Sequence, residues 1–397
     1  MLPQATITSL PEAFRAVKDM GLYDETRWDG GYRAATRDAL KRILEQRMRG
    51  GVDAHLDQMA RQGVYDRRNG SYPRGLLTEL GAIELAVPRT RAYSAARTLE
   101  TYARRAPHVN AMILSCFTLG LSTRKVARAL LPVLGEPVSR SCVSRVAATL
   151  DAAVEAFHRR PLSNRYRALV FDGVVLARKT GMGARRRPVL VALGIRPDGK
   201  KEVIDFMQAP AESAAAWETF LRILYARGLT GAGVKLICVD GGTGLAAALP
   251  VVYPGIPVQR CWAHKSRNVL DKVKKKDREA VKRGLRAVWD AANLVQARAA
   301  ARRFQARWEK TYPAAVACLR RDLDELLAFY TFKEAVWRKT TRTTNAIERR
   351  FREVRRRTRP MGVFSDRTSV ERILYAVFMN ENKNQGSAAP FSLTQLS

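Results

Sequence analysis

The stretch from Tyr166 to Arg260 constrains the fold of this 397-residue chain more than any other part of it. Residues 168 to 175 read Ala-Leu-Val-Phe-Asp-Gly-Val-Val, and two further runs, Val189 to Ile195 and Glu202 to Met207, share the short, β-prone texture. Turn signals at Gly181-Met-Gly183 and at Pro197-Asp-Gly-Lys200 separate them, so each reads as a strand. Helical spacing follows from Ser213 to Ala226, then an apolar strand from Val234 to Val239, a helix from Gly244 to Leu249 and a short strand from Pro257 to Arg260. Three successive strands followed by alternating helix and strand predict an α/β domain on a mixed sheet.

Two carboxylates stand out on that sheet. Asp172 interrupts the apolar run Leu169-Val-Phe-Asp-Gly, where an unpaired carboxylate is costly unless it faces an edge or a cation. Asp240 ends the apolar run Lys235-Leu-Ile-Cys-Val-Asp and is followed by Gly241-Gly242, the strand end at which open α/β sheets carry ligand sites. A third acid, Glu348, lies in a helical run opened by Thr343 or Thr344 as cap, with Asn345, Glu348 and Arg352 on one face. Eight arginines and two glutamates occur between Arg342 and Arg359. In such surroundings a lone glutamate is most simply an ion-pair partner, and Glu353 suits that role better than Glu348. Three carboxylates in basic surroundings are the donors that two hard divalent ions need to activate a nucleophile and neutralise a leaving oxygen in phosphodiester cleavage.

The charge points the same way. Lys and Arg number 70 against 37 Asp and Glu, a net of +33, which predicts a polyanionic partner. Hydrophobic residues form 46% of the chain, along its whole length, which excludes a solvated polycation. The longest uncharged stretches are spoiled as bilayer spans by His108 and Asn110 in one and three prolines in the other. Early charges at Glu12, Arg15, Lys18 and Asp19 leave no secretion signal, and five scattered cysteines fit a reducing cytoplasm.

Upstream, apolar positions Leu40, Ile43, Leu44 and Met48 predict a helix over 37–61, followed by a basic turn at Arg67-Arg-Asn-Gly70 and a small hairpin from Leu76 to Val87 around Gly81. Three helices are expected near 108–119, 122–131 and 139–157. The last two start at Ser122 and Ser139 as hydroxyl caps, the layout of a helix-turn-helix. The first turns Arg124 and Lys125 outward, and the second would set Arg140, Ser141, Ser144 and Arg145 against a major groove. A helical pair packed only on itself is the alternative, and the net charge favours DNA. From His264 to Tyr330 the pattern is helical. Eleven Lys and Arg against three acids between Arg260 and Arg286 make either a solvated face or a phosphate track that includes Lys265 and Arg267. Cys261-x-x-His264 is half a metal site with no second Cys/His pair at chelating spacing. A structural role beside the catalytic sheet is therefore expected for Cys261 and His264, without zinc.

The order of elements in the sheet region is that of a ribonuclease-H-like fold, and a set of motifs resembles one family in particular. These are Arg68-Asn-Gly70 with Gly81-Ala-Ile-Glu-Leu-Ala-Val-Pro-Arg89, Gly120-Leu-Ser-Thr-Arg-Lys-Val126, Val138-Ser with Val143-Ser-Arg145, Asp172-Gly173, Asp240-Gly-Gly-Thr-Gly-Leu245, Arg260-Cys-Trp-Ala-His-Lys-Ser-Arg-Asn268, and Thr344-Asn-Ala-Ile-Glu348 before Arg355-Arg-Arg-Thr-Arg-Pro-Met-Gly362. In this order they resemble the Mutator-type bacterial insertion-sequence transposases, a branch of the carboxylate-triad transposases and integrases. The resemblance implies that Asp172, Asp240 and Glu348 are catalytic and bind two divalent ions, Mg2+ or Mn2+. It implies a helical insertion between the last two, which lie 108 residues apart against 68 for the first two. It also implies cleavage at terminal inverted repeats and strand transfer into target DNA through a circular intermediate, by a homodimer or higher oligomer on DNA in the bacterial cytoplasm, associated with the chromosome. Asn345, Arg352, Arg355 and Arg356 join the expected DNA contacts.

The expected organisation is an N-terminal helical region (1–65), a basic linker with the hairpin (66–107), the helix-turn-helix-like region (108–160), a catalytic domain (161–262 and 340–384) interrupted by the helical insertion (263–339), and a polar tail (385–397). The competing readings are a non-catalytic DNA-binding regulator and a structure-selective nuclease of the same fold. Nicking of element ends separates the first from a transposase, and joining of those ends separates the second.

Overall fold

The computed structural model describes residues 33–99, 104–134, 136–181, 183–384 and 386. The chain divides into two compact units, one of Met1–Phe117 with Ser122–Val146, the other of Thr118–Leu121 with Ala147–Leu396. The expectations for residues 1–32 and for the polar tail after Gly386 lie outside the described residues.

In the first unit a long helix, α1 (Arg33–Arg61), covers an antiparallel hairpin of β1 (Arg68–Thr78) and β2 (Gly81–Thr90). Leu40, Leu44, Met48, Val52 and Leu56 recur every four residues and pack on Leu76, Ile83, Leu85 and Val87, whereas Ile43 is exposed. The basic segment Arg68-Asn-Gly70, expected as a turn, instead begins β1, and a register irregularity between Arg68 and Ser71 accommodates it. Asp66 ties the open end of the hairpin to α1. Its carboxylate accepts hydrogen bonds from Thr90 Oγ1 and from the Arg67 and Arg91 amides, and lies 3.0 Å from His55 Nε2. Helices α2 (Pro107–Thr118), α3 (Thr123–Leu134) and α4 (Arg140–Ala148) follow. The continuous helix expected over 139–157 is two, α4 and α5 (Leu150–Arg159), broken at Thr149.

The second unit is built on a five-stranded mixed sheet. Its strands are β3 (Ala168–Thr180), β4 (Gly183–Ile195), β5 (Lys201–Gln208), β6 (Leu236–Val239) and β7 (Val258–Arg260), in the order β5-β4-β3-β6-β7. The first three pair antiparallel, while β6 joins β3 and β7 joins β6 in parallel. Helices α6 (Ala214–Ala226) and α7 (Thr243–Val252) are the crossovers. Ser213 caps α6 by accepting from the Ala216 amide.

The period of two divides the strands between two cores. Leu169, Phe171, Leu190, Ala192 and Ile237 pack with Trp217, Phe220 and Leu249 on the α6–α7 side. Val170, Val174, Val189, Val191 and Cys238 face the other way, onto the helices that follow β7. Those are α8 (Trp262–Leu270), α9 (Arg278–Trp289), α10 (Leu294–Trp308), α11 (Pro313–Arg321), α12 (Leu323–Leu327), α13 (Ala335–Thr341), α14 (Asn345–Thr358) and α15 (Arg367–Asn384). From Trp262 to Thr341 the chain is helical, with no strand. This helical body closes over the β7 edge. The buried Gln259 donates to Leu326 O and accepts from the Phe329 amide, and Trp262 Nε1 donates to Leu326 O. Among the described residues no helix is long and apolar enough to cross a membrane.

Candidate active site

Parallel pairing sets the two aspartates side by side. Phe171 is the register partner of Val239, so Asp172 and Asp240 are the next residues on neighbouring strands, at the C-terminal edge of β6. Asp172 continues β3 and is 8% exposed, its Oδ1 accepting from the Gly173 amide at 2.7 Å. Asp240 begins a turn in which Gly241 takes φ +104°, and the Gly242 amide donates to Asp240 Oδ1 at 2.9 Å. A side chain at Gly241 would also meet Arg260 Nη1 at 3.1 Å, so glycine answers both a backbone need and a close approach.

Glu348 comes from the first turn of α14, a helix that packs on β3. Thr344 precedes it and makes no capping bond. Its buried hydroxyl instead lies 3.3 Å from Cys261 Sγ and 3.4 Å from Glu348 Oε1, and its amide donates to Cys261 Sγ. His264, on α8, places Nε2 3.6 Å from Glu348 Oε1. Cys261 and His264 therefore join the start of the helical body to the helix that carries Glu348, and their imidazole faces a carboxylate.

The electrostatics follow from this crowding. Burial, and then the charge of Asp240, push the Asp172 carboxyl up to about 7, with Glu348 adding to the push and the Gly173 amide and His264 opposing it. His264 is raised to about 8 by the neighbouring Cys261 sulfur and by the Glu348 and Asp172 carboxylates, against its partial burial. Burial works against a Cys261 thiolate, but His264 and Thr344 outweigh it and hold the thiol below its ordinary value.

One acid was not anticipated from the sequence. Glu212, in the loop before α6, lies so close to both aspartate loops that a Cβ at Gly173 would meet its carboxylate oxygens at 3.1 Å and one at Gly242 would meet Oε1 at 3.9 Å. Partial burial and the Asp240 charge raise its carboxyl. No local pattern in Pro210-Ala-Glu-Ser213 distinguishes it, because only the crossover of the chain brings it there.

The donor set suits hard divalent cations. It consists of carboxylate oxygens, and burial together with the Asp240 charge raises the Asp172 carboxyl, which His264 offsets only in part. Among the described residues no three His, Cys, Asp or Glu side chains stand as a ready-made metal cage, and Glu348 is turned toward His264 and Thr344.

The expected DNA contacts fare differently. Arg124 and Lys125 on α3 and Arg140, Ser141, Ser144 and Arg145 on α4 are exposed, beside buried Val126, Cys142, Val143 and Val146. Both hydroxyl caps form, Ser122 accepting from the Lys125 amide and Ser139 from the Cys142 amide. Arg267, Asn345, Arg352, Arg355 and Arg356 are exposed, Arg356 pairing with Glu353 at 3.6 Å. Lys265 is a correction. It is 5% exposed, forms an ion pair with Asp322 and donates to Cys318 O, so it fastens α8 to α11 and has no charge to offer a phosphate. Arg260 extends that network to Asp322 and Glu325.

A family model described as transposase, Mutator family, matches residues 7–387. The transposase for insertion sequence element IS905 of Lactococcus lactis is 32% identical over 352 residues, covering 86% of this chain and 88% of the relative. That for IS1201 of Lactobacillus helveticus is 32% identical over 345 residues, with 84% and 92% covered. That for ISRM5 of Rhizobium meliloti is 30% identical over 381 residues, with 96% and 94% covered.

Proposed function

This chain belongs to the Mutator family of transposases, and we propose that it binds the terminal inverted repeats of an insertion sequence and cuts and transfers their strands with Asp172, Asp240 and Glu348. The single observation behind the site assignment is the meeting of Asp172 and Asp240 in register at a strand end, under the helix that carries Glu348. We read the mixed sheet as ribonuclease-H-like and the exposed face of α3 and α4 as a helix-turn-helix. The reaction is then phosphodiester cleavage and strand transfer, through a circular DNA intermediate.

Asp172, Asp240 and Glu348 would hold two Mg2+ or Mn2+ ions, which when bound activate the attacking oxygen and neutralise the leaving one. The protein's own contribution is positional. The Gly173 and Gly242 amides fix the orientation of Asp172 and Asp240. Thr344 and His264 both reach the same carboxylate oxygen of Glu348, Oε1. His264, raised to about 8 by the Cys261 sulfur and by the Glu348 and Asp172 carboxylates, tempers the charge of those carboxylates when no metal is bound.

The test is nicking and joining of labelled element ends in Mg2+, with binding measured in parallel. Asp240→Asn and Glu348→Gln should each abolish cleavage and leave end binding intact. Cleavage by Asp240→Asn at near the wild-type rate would remove that residue from the site. Nicking without joining would make the protein a nuclease, and binding without nicking a regulator.

A further inference from the structure

We propose that the β3–β4 hairpin beyond the aspartates is a DNA-gripping arm, which lies along the sugar-phosphate backbone of the duplex flanking the scissile position. β6 stops beside Phe171, but β3 runs on to Thr180, eight residues past Asp172, an overhang of about 27 Å at roughly 3.4 Å per residue. β5 leaves the sheet at the pair Val189–Gln208, so the outer part of β4 pairs with β3 alone. The arm is braced. Arg187 Nη1 donates to Pro210 O on one side, and Ala177 and Lys179 exchange backbone bonds with Phe364 on the other.

Its charge is of one sign. Between Gly173 and Ile195 there are Arg178, Lys179, Arg185, Arg186 and Arg187 and no acid. Among the described residues none of the five forms an ion pair, and Lys179, Arg185 and Arg186 are exposed. The unbroken register sets Arg178 directly opposite Arg185. Like charges opposed across a pair of strands destabilise it, and an anion lying over them offsets that cost. The same register gives direction. Counting by twos from Asp172 leads through Val174 and Leu176 to Arg178, with Val191, Val189, Arg187 and Arg185 as their partners. Arg178, Arg185 and Arg187 therefore continue the sheet face that carries Asp172 and receives α14. Lys179 and Arg186 fall on the opposite face, so the arm presents cations on both sides. A two-stranded ribbon is narrow enough for a DNA groove about 12 Å wide.

The inference rests on the reading that DNA is the substrate, but its test needs no cleavage. Full-length protein is titrated in a chelator onto a duplex of about 40 base pairs of arbitrary sequence, and the slope of log K against log salt is measured. Losing two phosphate contacts, Arg185→Ala with Arg186→Ala lowers that slope by about 1.8, at about 0.9 for each contact. The conservative pair Arg185→Lys with Arg186→Lys keeps it. The control pair Arg302→Ala with Arg303→Ala, exposed on α10, removes equal charge and leaves the slope near wild type. An unchanged slope in the arm variant, or an equal drop in the control, overturns the arm. Arg185→Gln with Arg186→Gln repeats the measurement if the alanine pair melts early. Absent nicking in Mg2+ with a reduced slope would refute the catalytic reading and leave the arm standing.

Discussion

Replacing Asp172 by asparagine should stabilise the protein while ending its chemistry. In the absence of metal the folded state holds this carboxyl at about 7 against an ordinary value of 3.8, chiefly through burial and the Asp240 charge. A carboxyl raised in the folded state binds more protons folded than unfolded, so stability falls as pH climbs between those two values and is level above them. At about 1.36 kcal/mol for each tenfold change in proton affinity, the difference is on the order of 4 kcal/mol at pH 8. Asparagine keeps the acceptor for the Gly173 amide and never ionises, so it escapes this cost. For a unit of this size roughly 2 to 4 °C of melting temperature accompany each kcal/mol. Relaxation of the glycine turn after Asp240 makes the full amount an upper limit. Thermal melts of wild type and Asp172→Asn in chelator should diverge from about pH 4 to pH 7, with the variant higher, and run parallel above that. Adding Mg2+ should raise the wild type and narrow the gap. A gap that does not change with pH, or a variant that melts lower in chelator at pH 8, would refute the account of a charge-crowded site.

Three other outcomes are expected. Lys265→Met should destabilise by up to about 3 to 5 kcal/mol, because the buried Asp322 keeps only Arg260, at 3.5 Å, as a partner, and Lys265→Met with Asp322→Leu should recover much of it, while DNA affinity measured by gel shift stays unchanged. Asp66→Asn should lower the melting temperature of a fragment of residues 1–146. The Thr90 hydroxyl, joined by His55 and the Arg67 and Arg91 amides, holds its carboxyl at about 2 against burial, so this stabilisation is present above about pH 4 and lost as pH falls toward 2. Arg140→Ala or Arg145→Ala should each reduce discrimination between cognate and scrambled ends by about 1 to 3 kcal/mol, and equal wild-type binding to both would move recognition away from α4.

What could be read from the sequence, and what could not, divides according to how far apart in the chain the cause lies. The strands of the sheet were legible because β-prone runs and glycine turns are local, and the places of Asp172 and Asp240 followed once each was seen at a strand position. The break at Thr149 was not legible, since both halves of 139–157 keep a helical period and Thr149 itself stays in the right-handed helical region, with no side-chain capping bond to mark a new start. Lys265 looked like its basic neighbours. Its use was decided 57 residues later by Asp322, which takes the charge into the interior. Glu212 carries no signal at all in its own loop, yet the crossover from β5 to α6 returns it to the gap that Gly173 and Gly242 leave open. The overlooked arginines of the β3–β4 arm belong to the same class. They read as the flanks of a turn until register showed that β3 and β4 continue past the end of β6. The surplus positive charge is thus spent unequally. Part of it is buried within the helical body, where Lys265 fastens α8 to α11, and part is left without acidic partners beyond the aspartates, where an incoming phosphate chain would supply the missing counter-charge.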